Sequence, residues 1–223
     1  MSRLIITFDD SRDTDYSVAF PLLRQRGLNG TYYTIAGNLE NMQKADGTYN
    51  PEWMTVSQTK YIQSLGADIQ HHSYAHPKYA EVSTEEMNTD LSKAREAFQN
   101  LGFAPRHMAY PNGSFNASVK STMLDYDLVT ARTTQANVFD LATVDLHEIP
   151  SVKGDVENSV QWGVYKSWLD TALDQNRDVT VYWHRITNLR LPWFIQFLDY
   201  VKEKPFKVMT MSELYFERIK ITQ

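Results

Sequence analysis

The 223-residue sequence contains no cysteine, so neither a disulfide framework nor a thiolate metal site is available, and any metal must be held by His, Asp or Glu. The same absence leaves the redox compartment unmarked. A basic excess is also missing: 22 Lys and Arg stand against 27 Asp and Glu, the net charge is -5, and the cations are scattered. That argues against nucleic acid or an anionic membrane surface as a partner. No apolar run approaches the ~20 residues of a membrane span, and no signal peptide precedes the first strand. The expectation is therefore a protein that stays where it is made, or a module of a longer extracellular, cell-envelope or particle-borne chain. Internal repeats and low-complexity segments are absent as well.

What is present is a chain long enough to bury a large core, and a single domain over 1–223 is expected. Leu4-Ile5-Ile6-Thr7-Phe8 is an unbroken apolar and β-branched run that reads as a strand buried on both faces. Further strands are expected at 30–35, 67–71, 107–110, 128–131, 147–149, 179–183 and 207–211, where β-branched, aromatic and apolar residues cluster. Between them lie segments of helical spacing. Residues 16–26 stop at Gly27 and contain Pro21, a kink or a true start. Thr55-Val56-Ser57-Gln58 and Ser83-Thr84-Glu85-Glu86 are capping boxes; the first opens a helix to Leu65, and the second a helix whose apolar face is Met87, Leu91, Ala94, Phe98 and Leu101. Helices are also expected near 114–123, over 164–173 with Val164, Trp168 and Leu169 inward, and after Pro192 with Trp193, Phe194, Phe197, Leu198 and Val201. Residues 38–51 read as a long loop. Seven or eight strand–helix units in alternation predict parallel β-structure closed as a barrel, TIM-barrel-like rather than an open sheet.

In such a barrel polar groups at the C-terminal ends of strands share one mouth. Standing there are Asp9-Asp10, His71-His72 with His76, the turn Tyr110-Pro111-Asn112-Gly113, and His184. Two adjacent acids cannot lie unpaired in a dry core, so they belong at the mouth, as ligands and acid–base groups or simply as turn caps. His72 and His76 are four apart, which on a helical turn brings their side chains together, roughly 5–6 Å between Cβ atoms. With one carboxylate they make a two-His, one-carboxylate site, the arrangement of hydrolytic zinc enzymes. Any single histidine here reads equally as a solvated loop residue; the pair with acids from another strand does not. His71, on the opposite side of its strand, reads as structural.

Thr7-Phe8-Asp9-Asp10, His72-Ser73-Tyr74-Ala75-His76-Pro77, Tyr110-Pro111-Asn112-Gly113 and the strand ending at His184 resemble, in order and spacing, the successive motifs of the polysaccharide deacetylases (NodB-homology domains, family 4 carbohydrate esterases). The resemblance implies a distorted (β/α) barrel of about seven strands and metal-dependent removal of acetyl groups from sugars. By the same resemblance Asp9 is the general base, Asp10, His72 and His76 hold a divalent metal, usually zinc with cobalt or nickel as alternatives, and His184 is the general acid. Those roles are chemically coherent. The metal and a backbone N–H of the Asn112 turn stabilise an oxyanion, and a protonated His184 assists a poor amine leaving group. The expected partner is an acetylated oligo- or polysaccharide, N-acetyl or O-acetyl, such as chitin-type, peptidoglycan, exopolysaccharide or xylan chains. The alternatives are a same-fold amidohydrolase acting on a small non-peptide amide, and a binding module without catalysis.

Two departures bear on the base. Ser11 stands where many relatives have glycine. Ala109 stands where the family usually has an arginine paired with the base, so Arg132 or Lys153, each just past a strand, is expected to supply that cation. Tyr74, Tyr79, Tyr110, Phe115 and Trp183 are expected near the mouth, with Tyr110 and Trp183 offering flat faces to a sugar; Trp168 and Trp193 are expected in the core.

Overall fold

In the computed structural model, which describes residues 1–40 and 51–222, the apolar run at the N-terminus becomes β1 (Arg3–Asp9), an interior strand of the sheet that pairs with three others. Alternation along it sorts side chains to two sides. Leu4, Ile6 and Phe8 face the helical layer, in one cluster with Phe20, Leu23, Tyr32, Phe194 and Phe197, whereas Ile5 packs with Leu141, Ile149 and Met209 in a second cluster. Each such side chain is fully buried and contributes about 1.5–3 kcal/mol. Thr7, on the same side as Ile5, satisfies its hydroxyl on Val181 O at 2.9 Å.

The other strands are β2 (Thr31–Thr34), β3 (Asp68–His71), β4 (His107–Ala109), β5 (Thr130–Arg132), β6 (Val152–Lys153), β7 (Val179–Trp183) and β8 (Lys207–Met209). All pair parallel, in the order β5-β4-β3-β2-β1-β7-β6. β8 pairs with residues 3–5 of β1 while β2 pairs with residues 7–9. The seven-strand path curls into a distorted half-barrel. Among the described residues β5 and β6 form no ladder, and only Ile149 bridges to Arg132 at that edge.

Helices cover the outside: α1 (Phe20–Gln25), entered through a π-helical turn at Asp15–Ala19, α2 (Ala36–Glu40), α3 (Val56–Ser64), α4 (Thr84–Leu101), α5 (Ala117–Asp125), α6 (Ser159–Asp174), α7 (Leu191–Glu203) and α8 (Met211–Ile221). Pro21 occupies the first turn of α1, where its missing N–H costs nothing. Both expected capping boxes form, at Thr55 and Ser83, and a third, Thr210 with Glu213, opens α8.

Several expectations are corrected. Residues 147–149 are not a strand; the strand lies past Pro150, at Val152–Lys153, because Val152 rather than His147 aligns with Val181 of β7. α6 starts earlier, capped by Asn158, and Val164 is exposed; Trp162, Tyr165, Leu169 and Ala172 form its buried face. α5 begins only after its cap Asn116. The last strand ends at Met209, where α8, not expected, begins with Thr210 as its cap. α2 takes the start of the loop expected over 38–51; residues 41–50 lie outside the described residues.

Candidate active site

At the C-terminal end of β1 the two aspartates part company. Asp9 continues the strand's alternation into the barrel interior, whereas Asp10 and Ser11 adopt φ of 76° and 58° and turn the chain sideways. Such left-handed backbone is disfavoured for non-glycine residues and persists because the surroundings hold it. Ser11, in the position of the relatives' glycine, is fixed at both ends: its hydroxyl accepts Ile35 N–H at 3.1 Å and its carbonyl accepts Met54 N–H at 2.8 Å.

The turn delivers Asp10 to the histidines. Asp10 Oδ1 lies 3.5 Å from both His72 Nε2 and His76 Nε2, which are 3.1 Å apart. One donor atom from each residue falls within 4.8 Å of the others. The second-layer contacts suit a cation. His72 Nδ1–H donates to Ala109 O at 2.8 Å, so its Nε2 presents a lone pair to the cluster. Asp10 Oδ2 accepts from Arg12 Nη2 at 2.9 Å, leaving Oδ1 to face the imidazoles, and Arg12 stacks on Trp53, 4.2 Å from the ring centre. Burial opposes the Asp10 charge, but His72, aided by His184 and Arg12, outweighs it and holds the carboxyl well below the usual range. Burial pushes His76 down, toward the neutral form a metal requires. A nitrogen, nitrogen, oxygen set of this kind fits zinc or a similar divalent ion.

Asp9 is almost fully buried and its cation is Arg132: Nη2 donates to Oδ2 at 2.5 Å. The guanidinium is set by Ser151 Oγ and Thr133 O at 3.0 and 3.2 Å and lies over the rings of Tyr182 and Tyr33, 4.7 and 5.3 Å from their centres. Ala109 on β4 is the register partner of Arg132 on β5, so the two side chains project to the same side of the sheet. The small residue at Ala109 leaves the lumen open to the arginine one strand over. Asp9 Oδ1 has no hydrogen-bond partner among the described residues. Lys153 does not reach this pair; it is largely exposed, with Nζ 3.6 Å from Asp155 Oδ2.

On the opposite wall His184 Nδ1 meets Asp155 Oδ2 at 2.6 Å, and Asp155 Oδ1 accepts His184 N–H at 2.9 Å, with Arg190 3.4 Å behind. Burial alone would lower the His184 pKa, but the hydrogen bond that its Nδ1–H donates to Asp155 and the charge of Asp9 raise it. Asp155 and Arg190 were not anticipated; the only sequence signal for Asp155 was its place two residues beyond Lys153. Asp9, His72, His76, Tyr110, Asn112, Gly113, Thr134, Tyr182 and His184 line one cavity of about 290 Å³. Asn112 sits at φ 56°, its amide nitrogen 3.4 Å from His76 Nδ1. Gly113 must be glycine, since a Cβ there would lie 2.1 Å from Thr134 Oγ1. Tyr110 stacks on Phe115 at 4.9 Å and donates its hydroxyl to His147 O.

Trp183 is not at the mouth. It belongs with Val179 and Val181 to the helix-facing side of β7, buried against Tyr165, Phe194, Phe197 and the bare backbone of Gly154. Alternation puts its neighbour Tyr182 in the cavity instead. His71 is structural as expected: Nδ1 accepts Ser73 N–H, the ring packs on Phe98, and burial lowers its pKa to about 3.

The curled parallel barrel and a mouth holding two imidazoles, a carboxylate and a second, buried carboxylate define the class of (β/α) barrels with a hydrolytic type of centre. The sequence model of the family described as polysaccharide deacetylase matches residues 2–131, more than half of the chain, and the chain belongs to that family. YxkH of Bacillus subtilis (strain 168), which bears the polysaccharide deacetylase name, is 22% identical over 114 residues, 51% of this chain and 38% of YxkH. The chain thus spans well under half the length of that relative. A Mycobacterium smegmatis protein bearing the same name superposes with a TM-score of 0.76 at 13% identity, over 99% of this chain and 91% of its own. The family 4 carbohydrate esterase of Streptomyces lividans, solved in complex with acetate, gives 0.60 at 18% identity over 94% and 91%. At such identities these likenesses speak for the fold.

Proposed function

We propose that the chain removes acetyl groups from an acetylated glycan, using a divalent metal held by Asp10, His72 and His76. The observation that carries this reading is the convergence of three metal-binding atoms within 4.8 Å, beside a buried carboxylate and opposite a histidine–aspartate pair, around one cavity. A divalent ion there would polarise the acetyl carbonyl and make the attacking water more acidic.

The chain's own groups do the rest. Asp9 is the general base: Arg132 holds Oδ2, and the unpartnered Oδ1 takes the proton from the attacking water. In the 111–113 turn Pro111 has no N–H, and Gly113 and Ser114 donate to Tyr110 O and Pro111 O, which leaves the Asn112 N–H as the backbone donor for the oxyanion. His184, with Nδ1 committed to Asp155 and a raised pKa, carries a proton on Nε2 and delivers it to the departing amine. Tyr110 and Tyr182 form part of the cavity wall. The case for a catalytically silent module rested on Ala109, and Arg132 fills that gap.

The test is metal analysis of the purified chain, together with acetate release from acetylated chitooligosaccharides, acetylxylan and peptidoglycan. Roughly one equivalent of a divalent ion and acetate from at least one polymer are expected. No bound ion, and no acetate even with added zinc, cobalt or nickel, would overturn the reading.

A further inference from the structure

We propose that Asp90, in the middle of α4, is the positioning residue for the loop that carries His72 and His76, setting their geometry before any ion arrives; this rests on the metal site proposed above. The carboxylate caps nothing on its own helix. It is buried, and it reaches outward to the loop. Oδ1 accepts Tyr74 N–H at 3.0 Å and Tyr79 O–H at 2.7 Å, and Oδ2 accepts Ala75 N–H at 2.9 Å. Tyr74 and Ala75 are the two residues immediately before His76, so both amides that aim the second imidazole end on one side chain.

The loop needs such a hold. Ser73 and His76 both sit in left-handed backbone, at φ 69° and 60°, a conformation costing of order 1–3 kcal/mol each for a non-glycine residue. Strain of that kind persists only where several contacts agree. Ser73 Oγ supplies one by accepting His76 N–H at 2.8 Å, and that contact is internal to the loop. Ser73 O and Tyr74 O also accept Ala36 and Gly37 N–H from the start of α2, at 2.9 and 3.1 Å; Asp90 adds the side-chain contacts that tie the two residues before His76 to an 18-residue helix with a capping box at its start and Gly102 at its end. A carboxylate is required because each oxygen must accept an amide proton. An asparagine at this position would turn an N–H₂ group toward one of those amides. Groups beyond the direct ligands that orient a metal site typically alter affinity by 10- to 100-fold.

Two measurements test this. In the metal-free wild-type protein, hydrogen exchange at Tyr74 and Ala75 is expected to be slow, comparable to the amides of α4. In Asp90→Asn, zinc affinity measured by competition with a chromophoric chelator is expected to fall 10- to 100-fold, with the far-ultraviolet spectrum retained and acetate release recovering at saturating zinc. The proposal is overturned if those two amides exchange freely without metal and slow only when zinc is added, or if Asp90→Asn binds zinc within twofold of wild type. Should the variant fail to fold, the exchange result decides. A wild-type chain that takes up no ion would refute the site reading instead, and exchange would still show whether Asp90 orders the loop.

Discussion

Asp9 and Asp10 are neighbours of one chemical type that point to different surroundings, and on the proposed reading this divides their tasks. Asp10 at φ 76° leaves the strand to join the histidines, while Asp9 stays in the barrel with one oxygen on Arg132 and the other without a partner among the described residues. Asp9→Asn is therefore expected to keep its metal and lose about 10²- to 10⁴-fold in turnover, the usual contribution of a general base. His76→Ala is expected to lose both, as read by metal analysis and acetate release. His184 makes a pH prediction. Its pKa is raised by Asp155 against the opposing effect of burial; in the proposed role the protonated form is the competent acid, so activity is expected to fall as pH rises through that pKa. Removing the carboxylate lowers the pKa. Asp155→Asn should thus move the basic limb of the kcat/KM profile to lower pH; an unmoved limb would separate Asp155 from the acid.

At the scale of elements, register explains how the site keeps its cation. Ala109 on β4 and Arg132 on β5 are aligned partners, and the curl of the sheet lets Arg132 cross the lumen to β1, four strands away in the order. Removing one member of a buried ion pair strands the other. Arg132→Ala is expected to cost about 3–5 kcal/mol in chemical denaturation, whereas Lys153→Ala, which removes a largely exposed ammonium from a carboxylate that His184 and Arg190 also hold, should cost less than about 1 kcal/mol. If alignment is what matters, Ala109→Arg combined with Arg132→Ala should recover part of the loss. A double variant no more stable than Arg132→Ala alone would show that the guanidinium works only from β5, between Tyr33 and Tyr182.

For the molecule as a whole, the cluster joins β1 to the loop after β3, and α4 backs that loop through Asp90. Binding an ion there ties those segments together and stabilises the native state by mass action. At 100 times its dissociation constant the gain is about 2.7 kcal/mol, which at roughly 2–4 °C per kcal/mol for a chain of this size is about 5–10 °C in Tm. Stripping divalent ions with a chelator should lower the unfolding temperature by that amount and zinc should restore it. A midpoint indifferent to both would speak against an ion bridging these segments.

Much of this was legible without coordinates, because it depends on local chemistry. The run Leu4 to Phe8 had to be a buried strand, Ser83 and Thr55 had to start helices, and the spacing of His72 and His76 with Asp10 marked one mouth. What local pattern could not decide was everything set by pairing between distant strands. Whether Trp183 or Tyr182 faces the cavity depends on which side of β7 the helices cover. Whether the strand near Pro150 begins at His147 or Val152 depends on its alignment with β7. The choice between Arg132 and Lys153 followed from curvature: one side chain points into the lumen toward Asp9, while the other stands at the rim beside Asp155. The sequence by itself determined which groups are chemically suited to metal ligation and proton transfer, since those tasks demand particular side chains. Only the tertiary structure decided which cation steadies Asp9 and which carboxylate backs His184, because those contacts join residues 123 and 29 positions apart and exist only once the sheet has curled.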